Sequence, residues 1–273
     1  MLNGGTLLLI GCGKMGGAML QGWLDRGLSG SQVTIVDPSA KASYLDAFKK
    51  QGVTAVENLN DVDADLSPAL VMFAIKPQMM NDAIGNYRRF VRPDTVFLSV
   101  VAGKKISFYE NNLGVDAAIV RTMPNTPAAV SRGMTVLYAN PKVSDEQKAT
   151  CQEFMAAVGE TAWLDREEQI DAVTGVSGSG PAYIFLMAEC LAQAGVDAGL
   201  PEELARKLAH TTVSGAGELI HQSDETPTQL RINVTSPNGT TQAALEVLMA
   251  DNGLQPILTK AVAAATSRSK ALS

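Results

Sequence analysis

The stretch TLLLIGCGKMGGAMLQGWLDRGLSGSQVTIVD, residues 6–37, decides how the first half of the chain folds. Residues 6–10 are a short apolar run, which is typical of a strand buried on both faces of a parallel sheet. A G-x-G-x-x-G motif follows at residues 11–16, and apolar residues then recur at helical spacing until Gly27. A second apolar run, residues 33–36, ends at an aspartate. The pattern predicts a strand, a glycine turn, a helix and a second strand.

The glycine motif predicts a dinucleotide site at the start of that helix. A pyrophosphate must approach bare backbone N–H groups at a helix N-terminus, and side chains at the glycines would obstruct it. Asp37 lies 21 positions beyond the last glycine, where an acidic residue would bond the adenosine ribose hydroxyls. Two other interpretations stay open: a tight turn that binds nothing, and a methyltransferase with the same kind of loop. The motif residues are Gly11, Cys12, Gly13, Lys14, Met15 and Gly16.

The residues around Asp37 do not decide between the two nicotinamide cofactors. Asp37 would repel the 2′-phosphate of NADP, whereas Ser39 and Lys41 would be able to contact one. Both NAD and NADP therefore remain candidates.

Two later strands are expected to bring further residues to the same crevice. Apolar runs predict buried strands at residues 70–75 and 95–101. The carboxyl ends of strands in a doubly wound sheet face the cofactor crevice. Lys76, after the first strand, is a candidate cofactor contact, although it would equally serve as a solvated loop lysine. The small pair Ala102 and Gly103 follows the second strand and would allow close approach of the nicotinamide half.

Strand and helix patterns keep alternating in the first part of the chain. Short strands are predicted at residues 118–120, 135–138 and 161–164, and a capping box at Ser144 begins a helix between the last two. This alternation predicts an α/β fold, a Rossmann-type doubly wound and mostly parallel sheet with helices on both faces. This sheet and its helices are expected to form a dinucleotide-binding domain of residues 1–164.

Helical patterns dominate after residue 164 and predict an all-α second domain, residues 165–273. Its signature stretch is DAVTGVSGSGPAYIFLMAECLAQAGVDAGLP, residues 171–201. Pro181 suits a first helical position, and Gly195 is placed to end the helix. Residues 182–194 carry one charge, so this helix is expected to be buried on all sides, in a core shared between chains. It is too short to span a bilayer, which needs about 20 apolar residues.

A polar turn between two of the later helices is a candidate anion site. Residues 236–241 combine hydroxyls with an Asn-Gly pair at the start of a helix. Successive backbone N–H groups there would bind an anion, and the helix dipole would add to the attraction. A substrate carboxylate would suit the turn, and the alternative is an ordinary helix cap.

Composition narrows the class of protein. The 273 residues are 46% hydrophobic and 18% charged with a net charge of -6, which indicates a globular chain and argues against nucleic acid as a partner. Three cysteines give no metal-like spacing and leave an odd thiol, which favours a reducing cytoplasm. Two histidines exclude a histidine-rich metal site. No export signal and no membrane span are expected, and a small-molecule substrate is favoured.

Five segments of the chain resemble pyrroline-5-carboxylate reductase, and the resemblance covers the whole length. It implies an oxidoreductase that uses NADPH or NADH to reduce L-1-pyrroline-5-carboxylate to L-proline, the last step of proline biosynthesis. It also implies a homodimer with interlocked C-terminal helices, sometimes assembled further into rings. The five segments are residues 11–16, 75–78 (IKPQ), 123–127 (MPNTP), 171–201 and 234–241 (VTSPNGTT).

The resemblance also implies roles for individual residues. The glycine motif would hold the pyrophosphate, and Asn58 would lie at the adenosine end. The carboxylate would lie in the polar turn, with the Thr241 hydroxyl near the ring nitrogen as the catalytic group. The remaining cofactor residues are Ala74, Lys76, Pro77, Ala102 and Gly103, and the substrate residues are Asn233, Val234, Ser236, Asn238, Gly239, Thr240 and Thr241.

Asn238 departs from the family, which usually has glycine there, as in S-P-G-G-T-T. Asparagine is the residue after glycine that most readily tolerates positive φ, so the turn is expected to survive.

Two competing enzyme classes are weaker, and one non-enzymatic alternative stays open. A related β-hydroxy-acid dehydrogenase would need a catalytic lysine that residues 171–205 lack. A serine hydrolase would need G-x-S-x-G after a strand, which residues 175–179 do not provide. A nucleotide sensor that binds NADP without turnover is the non-enzymatic alternative.

Overall fold

The computed structural model describes Leu2 and residues 4–272. The chain forms two compact units, one from the N-terminus to residue 178 together with residues from 266 onward, and one of residues 179–265. The sequence-based boundary at 164/165 follows the end of the last strand, while the second compact unit begins later, after Gly178.

Within the described residues, eight strands of the first unit form one sheet of order β3-β2-β1-β4-β5-β6-β7-β8. All neighbouring pairs are parallel except β6 with β7, so the predicted Rossmann-type, mostly parallel fold is confirmed. The strands are β1 (Leu7–Ile10), β2 (Val33–Val36), β3 (Thr54–Val56), β4 (Leu70–Phe73), β5 (Val96–Ser99), β6 (Ala118–Met123), β7 (Gly133–Ala139) and β8 (Gly159–Trp163).

Helices cover both faces of this sheet. The α-helices of the first part of the chain are α1 (Lys14–Asp25), α2 (Ala42–Lys49), α3 (Pro77–Ala83), α4 (Ile106–Leu113), α5 (Asp145–Ala156) and α6 (Ile170–Val173). On one face Leu7 and Leu9 of β1 pack with Trp23 of α1, and on the other Leu8 packs with Phe73. Alternate residues of β1 therefore supply two separate cores, which is why its sequence is a continuous apolar run.

The capping box predicted at the start of α5 is confirmed. The Ser144 side chain accepts the Gln147 N–H, and the Gln147 side chain accepts the Ser144 N–H. The helix ends at Ala156, and Gly159 begins β8 with a φ of +149°. A side chain at Gly159 would meet the backbone of Gly133 in the neighbouring strand, so glycine is required there.

One ion pair joins β6 to the segment after β8. Arg121 of β6 lies 2.8 Å from Glu167, and the same Glu167 oxygen accepts the Ile106 N–H at 2.8 Å. The Arg121 side chain is almost fully buried, so removal of the Glu167 carboxylate would leave the guanidinium buried and uncompensated.

The stretch of residues 171–201 is helical almost throughout. A π-helical turn, Thr174–Gly178, follows α6 and leads into α7 (Gly180–Asp197). The prediction that Gly195 ends this helix is wrong, because α7 continues to Asp197 and Gly199 takes the positive φ of +97°. Gly195 instead allows close packing: a Cβ there would lie 3.1 Å from the Cβ of Ala205.

The helices α7 to α11 confirm the predicted all-α second half. They are α7, α8 (Glu202–Gln222), α9 (Pro227–Asn233), α10 (Thr240–Leu248) and α11 (Leu254–Leu272). In the single chain none of the residues of α7 is buried, and Ile184, Phe185 and Leu186 are each more than half exposed. Among Leu2 and residues 4–272, no helix is both long and apolar enough to cross a bilayer.

Candidate functional site

The predicted cofactor residues meet at one edge of the sheet. The glycine motif follows β1, Asp37 follows β2, Ala74 follows β4, and Ala102 lies shortly after β5. β1 pairs with β2 on one side and β4 on the other, so the chain reverses its strand order at β1. Ligands of doubly wound folds bind outside the carboxyl ends of strands at such a switch point.

The glycine motif has the backbone shape that a pyrophosphate needs. Gly11 has a φ of +89°, and a Cβ there would lie 2.8 Å from the carbonyl oxygen of Ala74. A Cβ on Gly16 would collide with the carbonyl oxygen of Gly11. A Cβ on Gly13, by contrast, would meet no atom within 4 Å, so the space above the first turn of α1 is open. This open space over a helix N-terminus fits a dinucleotide phosphate.

Asp37 ties the glycine motif to the turn after β2. Its Oδ2 accepts the Cys12 N–H at 2.7 Å, and its Oδ1 accepts the N–H groups of Ser39 at 2.8 Å and Ala40 at 3.0 Å. The residue is only 8% exposed. The sequence pointed to Asp37 but not to its three donors, because backbone N–H positions depend on the folded turn.

Cys12 is a buried thiol with no sign of reactivity. Burial, and to a lesser extent the neighbouring Asp37 carboxylate, raises the pKa of Cys12 to about 12. A thiol reacts as the thiolate, so Cys12 is inert near neutral pH and serves as a small packing side chain.

The other predicted cofactor residues lie around the same edge. Lys14 begins α1 and is exposed, whereas Met15 packs against the core beneath it. Asn58 follows β3, is exposed, and accepts the Asn60 N–H at 2.9 Å. Lys76 is the exposed N-cap of α3, and Pro77 is its first residue.

Gly103 completes this edge after β5. It has a φ of +74°, and a Cβ there would lie 2.9 Å from the carbonyl oxygen of Leu272 at the end of α11. Ala102 beside it is exposed.

Tyr44 is a residue of this edge that the sequence did not suggest. Its hydroxyl lies against Gly17, so closely that a Cβ on Gly17 would collide with it. Burial raises the pKa of Tyr44, and the nearby Cys12 and Asp37 raise it further. No periodic or motif signal marks a half-exposed tyrosine in α2.

The polar turn lies in the second unit, between α9 and α10. Gly239 is the N-cap of α10 and donates its N–H to the Ser236 carbonyl at 3.0 Å. A Cβ on Gly239 would lie 3.0 Å from the Ser236 carbonyl oxygen and would force the Ser236 hydroxyl to move, so a side chain is disfavoured there. Thr240 and Thr241 form the first turn of α10; Thr240 is exposed and Thr241 is half-buried.

Asn238 adopts the conformation expected of it, with a φ of +60°. Its backbone N–H donates to Oε1 of Gln242 at 2.8 Å. The sequence did not single out Gln242, because a side chain that folds back onto its own turn leaves no mark in spacing.

Asn233 and Val234 precede the turn and differ from the other predicted substrate residues. The Asn233 side chain is bonded to Gln229 and Glu225, each at 2.8 Å, so its polar groups are already partnered within α9 and the segment before it. Val234 is 66% exposed.

Comparisons with known proteins agree with both parts of the chain. Residues 167–272 match the family model described as pyrroline-5-carboxylate reductase dimerisation, and residues 6–103 match one described as NADP oxidoreductase, coenzyme F420-dependent. A pyrroline-5-carboxylate reductase of Pseudomonas aeruginosa is 37% identical over 268 residues, 97% of this chain and 96% of the relative.

Two solved structures are similar over nearly the whole chain. A pyrroline-5-carboxylate reductase from Coxiella burnetii has a TM-score of 0.92 at 34% identity, with 99% of each chain covered. The Plasmodium falciparum pyrroline carboxylate reductase with NADP bound has a TM-score of 0.82 at 27% identity, covering 100% of this chain and 99% of that one. With a relative 37% identical over 96% of that relative's length, the chain belongs to the pyrroline-5-carboxylate reductase family.

Proposed function

We propose that the protein reduces L-1-pyrroline-5-carboxylate to L-proline with NADPH or NADH, the last step of proline biosynthesis. One observation carries this proposal: a chain of this family has both an open glycine motif at the end of β1 and the polar turn of residues 236–241 at the start of α10. The first fits a dinucleotide, and the second fits the carboxylate of the substrate.

The reaction needs little acid catalysis from the protein. The bound dihydronicotinamide supplies a hydride. A cyclic imine becomes a good hydride acceptor once it is protonated, and an iminium formed in solution needs only to be oriented. Neither glycine-rich motif contains a histidine, which is consistent with a mechanism of positioning.

The turn of residues 236–241 holds the substrate carboxylate. The first backbone N–H groups of α10 have no partner within their own helix, and the positive end of its dipole attracts an anion. Thr241 places its hydroxyl on this first turn, where it bonds the ring nitrogen of the substrate.

The second half of the chain forms the dimer. Helices α7 to α11 have almost no buried residue in the single chain, although α7 is largely apolar. A second copy would cover these side chains, and each Leu, Ile, Phe or Met buried would contribute roughly 1.5–3 kcal/mol. Residues 165–273 are therefore the substrate-binding and dimerisation domain, residues 1–164 bind the cofactor, and dimers can assemble further into a ring.

The protein works in the cytoplasm. Its thiols Cys12, Cys151 and Cys190 are free, which suits a reducing compartment.

An assay with both cofactors tests this function. Oxidation of NADPH and of NADH is followed by absorbance with L-1-pyrroline-5-carboxylate, and L-proline is identified as the product. A protein that binds cofactor but never oxidises it with this substrate would instead be a nucleotide sensor.

Replacement of Thr241 by alanine is expected to lower kcat/KM for L-1-pyrroline-5-carboxylate by about 10- to 100-fold. The loss corresponds to one hydrogen bond to a charged group, about 1.5–3 kcal/mol. Thr241→Ser keeps the hydroxyl and should retain most activity. Steady-state kinetics and a thermal melt of each variant separate this effect from a folding defect, and unchanged kinetics in Thr241→Ala would remove Thr241 from the site.

Asn238→Gly is expected to leave KM for the substrate within about twofold, because glycine adopts the observed positive φ without strain. Asn238→Val is expected to raise KM at least tenfold, since a β-branched residue is strongly disfavoured there. The pair is compared by initial rates at saturating cofactor. Equal KM values for the two variants would show that this backbone angle does not shape the carboxylate turn.

A further inference from the structure

We propose that Asp37 makes NADH the preferred cofactor, because its carboxylate occupies the backbone donors that the 2′-phosphate of NADPH would need. This inference rests on the proposed function, and it concerns which of the two nicotinamide cofactors the site selects. Three contacts of Asp37 and its burial carry the argument.

The turn after β2 is an anion site that the protein fills with its own carboxylate. The N–H groups of Ser39 and Ala40 both point at Oδ1 of Asp37, at 2.8 Å and 3.0 Å. Successive N–H groups that converge in this way are what a phosphate bonds in a backbone anion site. A 2′-phosphate reaching this turn would find both donors already taken.

The remaining capacity of the same carboxylate suits a ribose hydroxyl. An ionised carboxylate has about four acceptor positions. Three are used by the N–H groups of Ser39, Ala40 and Cys12, which leaves about one, on Oδ2. A neutral 2′-hydroxyl can donate to that position, whereas a 2′-phosphate carries a charge of about −1.5 to −2 at neutral pH and would be repelled by the carboxylate.

Asp37 cannot turn away to admit the phosphate. It is only 8% exposed, and its Oδ2 also holds the Cys12 N–H of the glycine motif at 2.7 Å. Rotation of the side chain would leave three N–H groups without their partner and would release the motif that binds the pyrophosphate.

Lys41 and Ser39, the candidate contacts of a 2′-phosphate in this turn, do not offset its repulsion by Asp37. Lys41 is exposed and caps α2 through its backbone, and Ser39 is exposed as well. An exposed lysine on a flexible side chain gains little from an ion pair in water, whereas the carboxylate is fixed and partly desolvated.

Cofactor binding without substrate tests the inference. NADH, NADPH, ADP-ribose and 2′-phospho-ADP-ribose are titrated into the full-length protein by calorimetry. We expect the wild-type protein to bind NADH at least tenfold more tightly than NADPH, with the same order for the two fragments. The fragments lack nicotinamide, so a preference shared by both pairs must arise at the adenosine end.

Two variants sharpen the comparison. Asp37→Ser removes the charge and frees the donors, so the ratio of NADPH to NADH affinity should rise at least 100-fold. Asp37→Asn keeps an acceptor for Ser39 and Ala40 without the charge, and its ratio should fall between those of the wild type and the serine variant. Asp46→Asn, which removes an exposed carboxylate from α2, should leave the ratio unchanged.

Several outcomes would overturn the inference. They are wild-type binding of NADPH as tight as that of NADH, a ratio that does not move in Asp37→Ser, or no binding of either cofactor. The proposed function fails separately: a protein that binds NADH tightly but does not oxidise it with L-1-pyrroline-5-carboxylate would keep the cofactor preference and lose the reaction.

Discussion

Gly13→Ala is expected to leave the fold intact and to weaken the binding of NADH and NADPH on the order of 100-fold. A Cβ at Gly13 meets no protein atom within 4 Å, and the residue has an ordinary φ of −74°, so alanine fits the backbone. The methyl group would project into the open space above α1, where the pyrophosphate approaches the backbone. A loss of about 2.7 kcal/mol of binding free energy corresponds to that factor. Calorimetric titration and a thermal melt measure the two effects.

Two matched variants show whether the effect arises from the cofactor. Gly16→Ala should weaken binding and also lower the unfolding free energy by about 1–3 kcal/mol, because its Cβ would collide with the Gly11 carbonyl oxygen. Gly85→Ala, at another open position far along the sequence, should change neither quantity. If Gly13→Ala binds NADH and NADPH with normal affinity, the pyrophosphate does not bind over the glycine motif.

The sequence was most informative where one local rule decides the structure. Residues 6–37 combine buried strands, a glycine turn and an amphipathic helix, and all of these elements formed as predicted. β3 was missed because it has three residues at the edge of the sheet, too few and too exposed to show a period. The end of α7 was misplaced because a glycine in a helix can serve close packing, here of Gly195 on Ala205, rather than termination.

The candidate site was less accessible to sequence reasoning, because its contacts form only in the folded chain. The fingerprint position of Asp37 predicted a partner for the ribose, and that role stays a prediction. The three hydrogen bonds that Asp37 accepts from backbone N–H groups bear on the choice between NADH and NADPH, and they depend on the turn after β2. Likewise, the sequence pattern does not predict that the Gln242 side chain accepts the Asn238 N–H.

Met187→Lys is expected to convert the proposed dimer to monomers and to abolish reduction of L-1-pyrroline-5-carboxylate. Ile184, Met187 and Leu191 follow one another at helical spacing on α7, and they are 53%, 39% and 44% exposed in the single chain. A second copy that covers this stripe would have to bury the lysine ammonium among apolar side chains, at a cost of several kcal/mol. Light scattering after size-exclusion chromatography measures the mass, and NADH oxidation measures the activity.

The same variant distinguishes a broken dimer from an unfolded chain. The predicted cofactor residues all lie in the first compact unit, so a folded monomer should still bind NADH and keep most of the helical circular dichroism signal. Met187→Leu preserves an apolar side chain of similar volume and should remain dimeric and active. A dimeric, active Met187→Lys enzyme would contradict the proposal that α7 forms a core shared between two copies, because a buried lysine would not be tolerated in such a core.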